Sequence, residues 1–372
     1  MTPGEQVELR GLPLPALEAL VAKLGEKPFR ARQLYRALHR RGARAFEELT
    51  DLPKGFRERL AEVGTLAPLE IDLAQESRDG TIKYRLRTID GKLLEAVYMP
   101  AAAREMGEES SRRTLCVSSQ VGCAMGCTFC RTATMGLVRQ LTTAEIVDQV
   151  YAVERDLKGR GLGPAGADPA ARVLTNLVFM GMGEPLHNLD ELLPALELLQ
   201  SQEGLRLSHR HITVSTSGLV PEIARFGAAT SVKLAVSLNG TTDAQREQLM
   251  PVNRKYPLKA LLAACRAFPS KIGRRITFEY VLLAGQNDTR EDADRLARIA
   301  KSVPAKVNLI AYNDNPGLGF HSPPEPDVEA FRAAVERRGA DVFVRKNRGR
   351  DISAACGQLA VEGLGKRKLR VV

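Results

Sequence analysis

Strand-like and helix-like segments alternate from residue 114 to the carboxyl terminus, and this alternation restricts the fold more than any other feature. The strand-like segments are apolar and β-branched and span 114–120, 173–182, 211–217, 232–239, 275–284 and 306–313. Amphipathic segments of helical periodicity follow at 189–200, 289–300 and 328–338. Such alternation is typical of βαβ units and a parallel sheet. Six units predict a partial (β/α)6 barrel, an α/β fold, rather than a closed eightfold barrel, and residues 341–349 predict one more strand.

Two smaller units precede the predicted barrel. The chain has 372 residues, which corresponds to two or three domains at roughly 150 residues per domain. Residues 1–66 carry apolar residues at helical spacing and predict a small helical domain. Residues 67–113 contain strand-like runs and two Asp-Gly turn signals, which predict a β-hairpin extension. The barrel then takes residues 114–372, with a last strand, a loop that contains Cys356 and a basic tail.

The chain carries an excess of positive charge. Lys and Arg number 54 and Asp and Glu 44, a formal net charge of +10. This excess favours a polyanionic partner, and nucleic acid is the first candidate. Residues 29–44 and 365–372 are markedly basic; a solvated helix face explains the first stretch as well as an RNA contact does. No signal peptide and no membrane-spanning apolar run are found, so we expect a cytoplasmic protein with no membrane partner.

Four of the six cysteines lie within residues 116–130. Thiols stay reduced in the cytosol, so clustered cysteines indicate metal or redox chemistry rather than disulfides. Cys123, Cys127 and Cys130 form a CxxxCxxC motif just after the first predicted barrel strand, and soft thiolates bind zinc or iron–sulfur clusters. Three ligands on one loop suit a cubane cluster with one iron open to a small molecule. A zinc site would need a fourth ligand, for which Cys116 is the candidate.

Other motifs accompany this one, namely CVSSQVGCAMGCTFC, MGMGEP, VSTSG, LMPVNRKYPL, KVNLI and RKNRGRDISAACGQLA. Together they resemble the radical S-adenosylmethionine (SAM) superfamily and, within it, the RlmN/Cfr family of RNA adenine methyltransferases. The resemblance covers most of the chain from residue 95 onward and, more loosely, the helical unit. It implies one 4Fe–4S cluster on Cys123, Cys127 and Cys130, with two SAM molecules used per turnover. It also implies an electron donor such as flavodoxin or ferredoxin.

The reaction that this resemblance implies is methylation of adenine carbon 2. The substrates are 23S ribosomal RNA at the peptidyl-transferase centre and an anticodon-loop adenosine of transfer RNA, each with the base unstacked. One alternative is methylation of carbon 8 of the same ribosomal adenosine, as in Cfr. Another is a metal-dependent RNA-binding regulator without catalysis. A third, a radical SAM enzyme for a protein or metabolite, is disfavoured by the basic termini. We expect a monomer.

The resemblance also assigns the contacts to SAM. Gly183 and Glu184 follow a predicted strand at the barrel mouth, where a glycine allows close approach of a ligand and a carboxylate accepts hydrogen bonds from an ammonium group. Further contacts are assigned at later strand ends, to Ser215, Ser237, Leu238, Asn239 and Asn313. Strand-end capping is an equally simple explanation for each Ser and Asn. Many relatives have His where Asn239 stands, and Asn cannot titrate near neutrality.

Three further residues receive catalytic roles from the resemblance. Cys356 is implied to carry the methyl group as S-methylcysteine, and Cys116 to resolve the resulting thioether by forming a disulfide with it. Glu95 is implied to accept the proton from carbon 2. A buried packing role is the ordinary alternative for a free cysteine. It is our interpretation for Cys265, which lies on an apolar helix face.

Overall fold

The structure is a computed structural model that describes residues 6–66, 68–100, 112–163, 171–269, 275–345 and 347–361. The basic segment 365–372 lies outside these residues. The amino-terminal unit consists of β1 (Val7–Glu8), α1 (Leu14–Lys23), α2 (Phe29–His39), α3 (Lys54–Val63) and β2 (Gly64–Thr65). Helix α2 buries Leu34 and Leu38, which are four residues apart and therefore on one face, and leaves Arg32 and Arg36 exposed.

An antiparallel meander follows, made of β3 (Glu70–Glu76), β4 (Ile82–Arg87) and β5 (Leu93–Met99). Gly80 and Gly91 have φ of 77° and 74° between these strands, as the two Asp-Gly signals predict. Strand β4 buries alternate residues, so one face packs on the core. Strand β3 was not predicted, because the sequence EIDLAQE has no clear alternation. Strand β5 pairs with the first barrel strand, so the meander extends the barrel sheet.

The barrel elements follow in chain order. They are β6 (Thr114–Cys116), β7 (Gln120–Gly122), β8 (Leu137–Gln140), α4 (Thr143–Gly159), β9 (Asn176–Phe179), α5 (Leu189–Gln200), β10 (Ile212–Thr216), α6 (Val220–Ala229), β11 (Lys233–Ser237), α7 (Asp243–Leu249), α8 (Leu258–Ala267), β12 (Ile276–Leu282), α9 (Arg290–Ser302), β13 (Ala305–Ala311), α10 (Glu325–Arg337) and β14 (Val342–Arg345). The helix predicted at 189–200 has the predicted bounds. No helix of the described residues is long and apolar enough to cross a bilayer.

One ten-stranded sheet runs in the order β14-β13-β12-β11-β10-β9-β6-β5-β4-β3. The neighbours from β6 to β14 pair in parallel, and β5 joins β6 antiparallel. Strands β14 and β3 stand at the two edges, so the sheet is open and the predicted partial α/β barrel is confirmed. Because the strands are parallel, their carboxyl-terminal ends meet at one mouth, where βα-loops build sites.

The first barrel strand is shorter than predicted, because the chain leaves the sheet after Cys116. It forms a hairpin of β7 and β8 that encloses the cysteine motif. Gly122 has φ of 78°, and a Cβ on it would overlap the Gly136 carbonyl oxygen. Only glycine fits there, so the hairpin depends on this residue. The hairpin was not predicted.

A buried ion pair fastens the amino-terminal unit to the barrel. The Arg10 guanidinium lies 3.0 Å from the Asp148 carboxylate on α4, and both side chains are excluded from solvent. Arg10 also donates to the Leu38 carbonyl and stacks over the Tyr151 ring at 5.0 Å. Asp148 accepts a hydrogen bond from the Leu69 amide at 2.6 Å. Each partner thus also has a hydrogen bond to the backbone, and removing either one leaves a buried charge.

We expect Asp148→Asn to lower the free energy of unfolding by about 3–5 kcal/mol, because it strands the Arg10 charge in the interior. Urea denaturation measures this change. The matched control is Arg36→Met, which removes an exposed ion pair with Glu203 and should leave the midpoint near that of the wild type. Equal midpoints for the two variants would contradict a fastening role for the buried pair.

Candidate active site

The cysteine loop lies at the carboxyl-terminal mouth of the barrel strands. Cys123, Cys127 and Cys130 line one cavity of about 160 Å³ together with residues from the ends of β9, β10 and β11. The Cys123 amide donates to the Gly136 carbonyl at 2.9 Å, so the hairpin holds the start of the loop. Burial raises the pKa of the Cys123 thiol to about 12. The three predicted ligands therefore face a common, enclosed space.

The chemistry of these donors suits a cluster rather than one ion. In the described part of the chain, no three His, Cys, Asp or Glu side chains are arranged to hold a single metal ion. Cys116, the fourth ligand that zinc would need, lines a different cavity. A four-iron cluster is wider than an ion and takes thiolates spread around an open volume. The three thiols and their cavity meet that requirement.

Backbone amide groups hold the Glu184 carboxylate in the wall of this cavity. Its two carboxylate oxygens accept hydrogen bonds from the Ser217 amide at 2.7 Å and the Leu186 amide at 3.1 Å. Burial raises its pKa, and these hydrogen bonds oppose the shift. Gly183 has φ of 100°, and a Cβ there would come within 2.5 Å of the Gln120 side chain. The carboxylate is thereby oriented, and its remaining lone pairs can accept from an ammonium group.

Ser215, Ser237 and Asn239 line the same cavity at the ends of β10 and β11. The Leu238 side chain does not, because it is fully buried in the core. Asn239 has φ of 50°, a left-handed conformation that Asn tolerates. Its side-chain carbonyl accepts from the Val281 amide at 2.9 Å. Asn239 therefore shapes the turn after β11 as well as facing the cavity.

Asn313 lines neither cavity, although it is buried just after β13. Its side-chain carbonyl accepts from Arg350 Nε at 3.1 Å. Its amide nitrogen is buried without a hydrogen-bond partner among the described residues. The structure thus places Asn313 beside the carboxyl-terminal segment, and its side-chain amide N–H group has no acceptor among the described residues.

Cys116 and Cys356 meet in a second cavity, of about 570 Å³, that lies inside the barrel. Cys116 ends β6, and Cys356 follows the last strand, 240 residues later in the chain. Met180, Glu279 and Cys356 line both cavities, so the two are contiguous. Burial and, to a smaller extent, the nearby Cys356 raise the pKa of Cys116 to about 12. The two distant thiols are therefore brought to one place, next to the cysteine-loop cavity.

Hydrogen bonds from two different elements hold the segment that carries Cys356. The Gly357 carbonyl accepts from the Arg131 amide at 2.8 Å, which joins the segment to the cysteine loop. The Ser77 hydroxyl, in the turn between β3 and β4, donates to Asp351 at 2.6 Å. The β-extension therefore positions the last described segment of the chain against the barrel mouth.

Glu95 is buried in β5 but lines neither cavity. Its carboxylate lies 3.5 Å from Lys83 Nζ and accepts from the Ala360 amide at 3.0 Å. Burial raises its pKa, and the Lys83 charge opposes the shift. Glu95 is thus in contact with the Cys356 segment, while its assignment as proton acceptor stays a prediction. Cys265 is buried on α8 in the hydrophobic core.

Comparisons with known proteins agree with this geometry. Residues 7–66 match the model of the ribosomal RNA large subunit methyltransferase N-terminal domain, and residues 117–297 match that of the radical SAM superfamily. The chain is 60% identical to the dual-specificity RNA methyltransferase RlmN of Anaeromyxobacter dehalogenans, over 96% of this chain and 92% of that protein. The chain belongs to the RlmN family. It is also 55% identical to RlmN 2 of Myxococcus xanthus, over 97% and 92% of the two chains.

A solved structure extends the comparison to three dimensions. A radical SAM methyltransferase from Sphaerobacter thermophilus is 42% identical, with a TM-score of 0.86 over 95% of this chain and 99% of that one. The predictions of a radical SAM fold and of a SAM-dependent RNA methyltransferase are confirmed. As in the superfamily, the enzyme uses a 4Fe–4S cluster and SAM. A regulator without catalysis is excluded by this membership.

Two residues of the site were not predicted from the sequence of this RlmN family member. Arg246 is fully buried, and its guanidinium donates to the carbonyls of Ser217, Ser237 and Leu238. It therefore joins the turns after β10 and β11 that face the cysteine-loop cavity. Glu279 is buried in β12 between the two cavities. A single carboxylate inside the apolar run ITFEYVLLA was the signal that could have found it.

We expect Arg246→Met to weaken SAM binding and to lower the free energy of unfolding by about 3 kcal/mol, because it leaves buried carbonyl oxygens without donors. Urea denaturation and equilibrium SAM binding measure the two effects. Arg298→Met, an exposed change on α9, is the control. Wild-type SAM affinity in Arg246→Met would show that the two turns hold their positions without it.

Proposed function

We propose that this RlmN family member methylates carbon 2 of adenosine in 23S ribosomal RNA and transfer RNA through a methyl group carried on Cys356. The observation that carries the proposal is the meeting of Cys116 and Cys356 in one cavity contiguous with the cysteine-loop cavity. A simple methyltransferase needs no such pair. The relatives that bear the name dual-specificity RNA methyltransferase support both RNA classes as substrates.

Cys123, Cys127 and Cys130 are the residues that we propose to hold the cluster. When bound, the cluster and SAM supply a methyl group and a carbon-centred radical, with an electron from flavodoxin or ferredoxin. Glu184 then accepts from the SAM ammonium group, and Ser215, Ser237 and Asn239 contact the same molecule. The side chains of Asn313 and Leu238 do not line the cavity. We therefore propose that they support the residues that contact SAM and do not contact SAM themselves.

The two thiols solve a chemical problem of the substrate. Carbon 2 of adenine is electron-poor and is not a nucleophile, so it cannot take a methyl group from a sulfonium directly. A methyl group placed first on the Cys356 sulfur can lose one hydrogen atom and form a carbon–carbon bond to carbon 2. Two SAM molecules would be used per turnover, one as the source of the methyl group on Cys356 and one as the source of the radical that takes the hydrogen.

Release of the product then falls to Cys116. The Cys116 sulfur gives up its proton and attacks the Cys356 sulfur, the sulfur–carbon bond breaks, and the electron pair stays with the carbon, which takes up a proton and becomes the product methyl group. A Cys116–Cys356 disulfide remains and is reduced before the next turnover. The radical adduct must also lose the carbon 2 proton and one electron; the electron would return to the oxidised cluster, and Glu95, whose pKa is raised by burial and which contacts the Cys356 segment, is the proposed proton acceptor.

Anaerobic reconstitution with iron, sulfide and reductant tests the function. With SAM and RNA, the wild-type enzyme should form 5′-deoxyadenosine together with 2-methyladenosine. Mass spectrometry of the digested RNA distinguishes this product from 8-methyladenosine. Exclusive formation of the 8-methyl product would replace the proposed reaction by its carbon 8 alternative.

Variants of the two thiols separate their roles. Cys356→Ala should lose methyl transfer completely, because no sulfur remains to carry the methyl group. Cys116→Ala should instead accumulate protein joined to RNA, because the thioether is not resolved; denaturing gels with labelled RNA detect it. Cys265→Ala, in the core, is the control and should form product without a crosslink. Turnover by Cys356→Ala at the wild-type rate would disprove the carrier role.

A further inference from the structure

The outer side of the cysteine loop is open to solvent. The three thiols of the motif line the inner cavity, whereas Ala124 and Thr128, which stand between them in the chain, are exposed. The loop is therefore the wall that separates this cavity from the surface of the protein. We call the adjoining surface the loop face. Its residues are Ala124, Thr128, Leu137, Val138, Arg254 and Lys255.

One flank of the loop face is the turn that follows α7. This turn belongs to the motif LMPVNRKYPL, for which the proposed function gives no role. The Thr128 amide donates to the Leu249 carbonyl at 3.0 Å. Val252 packs against the same small apolar cluster as Cys127 and Cys130. The turn is thereby fixed beside two of the thiols.

Positive charge is concentrated on this flank. Arg254 and Lys255 are exposed, and so is Lys259 at the start of α8. Glu247 is the one acidic residue of segment 245–262. Within the described part of the chain, neither Arg254 nor Lys255 forms an ion pair with a carboxylate. Both charges are therefore available to an anionic surface of a partner.

Apolar side chains lie on the other flank. Leu137 and Val138 of β8 are 37% and 42% exposed. A β-bulge sets both of them opposite Gly122, which has no side chain to cover them and directly precedes Cys123. An apolar centre with a charged rim is typical of protein–protein interfaces. An RNA backbone would contact the cations of the loop face but would leave these two apolar residues uncovered.

We propose that the loop face is the docking surface of the electron donor, an acidic one-electron carrier protein of the flavodoxin or ferredoxin class. This inference rests on the proposed function and adds to it the place where the donor binds. The carrier loses one electron and the cluster on the cysteine motif gains it, and no atom is transferred. Charge complementarity favours an acidic partner, since Arg254 and Lys255 would meet its carboxylates.

The distance to the cluster favours the same surface. The rate of electron transfer falls steeply as the separation of two redox centres grows, so a carrier must dock where the cluster lies close to solvent. Cys123 and Cys127 line the cavity, while the residues that directly follow them, Ala124 and Thr128, are exposed. A carrier bound on the loop face is thus separated from the cluster site by one loop.

Binding of a bacterial flavodoxin and of a bacterial ferredoxin to the reconstituted enzyme tests the loop face. Arg254→Gln/Lys255→Gln should weaken binding of the carrier about fivefold, because two charged contacts at the rim are lost. Added salt should weaken binding to the wild type more than to this double variant, because salt screens exposed charges. Arg254→Lys/Lys255→Arg, which keeps both charges, should bind like the wild type.

Reduction by dithionite separates docking from catalysis. With dithionite, which needs no docking surface, the double variant Arg254→Gln/Lys255→Gln should methylate RNA at the wild-type rate, and with the carrier it should be slower. Val138→Glu, an exposed change on the apolar flank, should also weaken carrier binding, because it sets a like charge against an acidic partner. Its rate with dithionite should stay that of the wild type.

Arg298→Gln/Arg337→Gln is the matched control, since it removes two exposed charges from α9 and α10 and should bind the carrier like the wild type. If Arg254→Gln/Lys255→Gln matches this control, or if the wild type binds neither carrier, the loop face is not the docking surface. Loss of RNA binding with wild-type carrier binding would assign this surface to RNA instead. The proposed function stands in all these cases; it fails separately, if the wild type forms no 2-methyladenosine with dithionite.

Discussion

The contacts between the carboxyl-terminal segment and the cysteine loop are the interaction on which the rest of the site depends. The Arg131 amide binds the Gly357 carbonyl at 2.8 Å, and the Thr132 hydroxyl binds the Leu359 carbonyl at 2.6 Å. Both donors follow the last cysteine of the motif directly. Because both acceptors lie within three residues after Cys356, these bonds hold it at the junction of the two cavities. Without these bonds, the segment that carries Cys356 would not be held against the cysteine loop.

Buried charges fall into two groups that differ in how completely they are satisfied. Asp148, Arg246 and Glu184 each receive their partners from the protein itself, and each holds a structural junction. Glu279, in the wall that the two cavities share, forms the second group. One of its carboxylate oxygens accepts from Asn308 at 3.0 Å, and the other has no hydrogen bond among the described residues. Burial raises the pKa of Glu279, and the nearby Arg345 charge opposes the shift.

The open barrel accounts for the arrangement of donor and acceptor. Parallel strands place their carboxyl-terminal ends around the cysteine loop, and the larger cavity, which holds Cys116 and Cys356, extends from there toward the amino-terminal ends of the strands. Cys356 lines both cavities, as the proposed transfer of its methyl group to the base requires. The β-extension contributes by continuing the sheet at β6 and by holding the carboxyl-terminal segment through Ser77. Fold, family membership in RlmN and the proposed chemistry therefore agree at Cys356.

Local sequence determined the barrel class, the helix at 189–200, the Asp-Gly turns and the cysteine motif, because each depends on residues a few positions apart. Only the tertiary structure decided that β6 ends at Cys116, that Leu238 faces the core, and that Glu95 binds Ala360. It also decided which residues share the cavity of Cys116 and Cys356. These outcomes depend on contacts between residues up to 265 positions apart. Such contacts leave no periodicity in the sequence, since burial and hydrogen bonding are set by the partner that packing brings near.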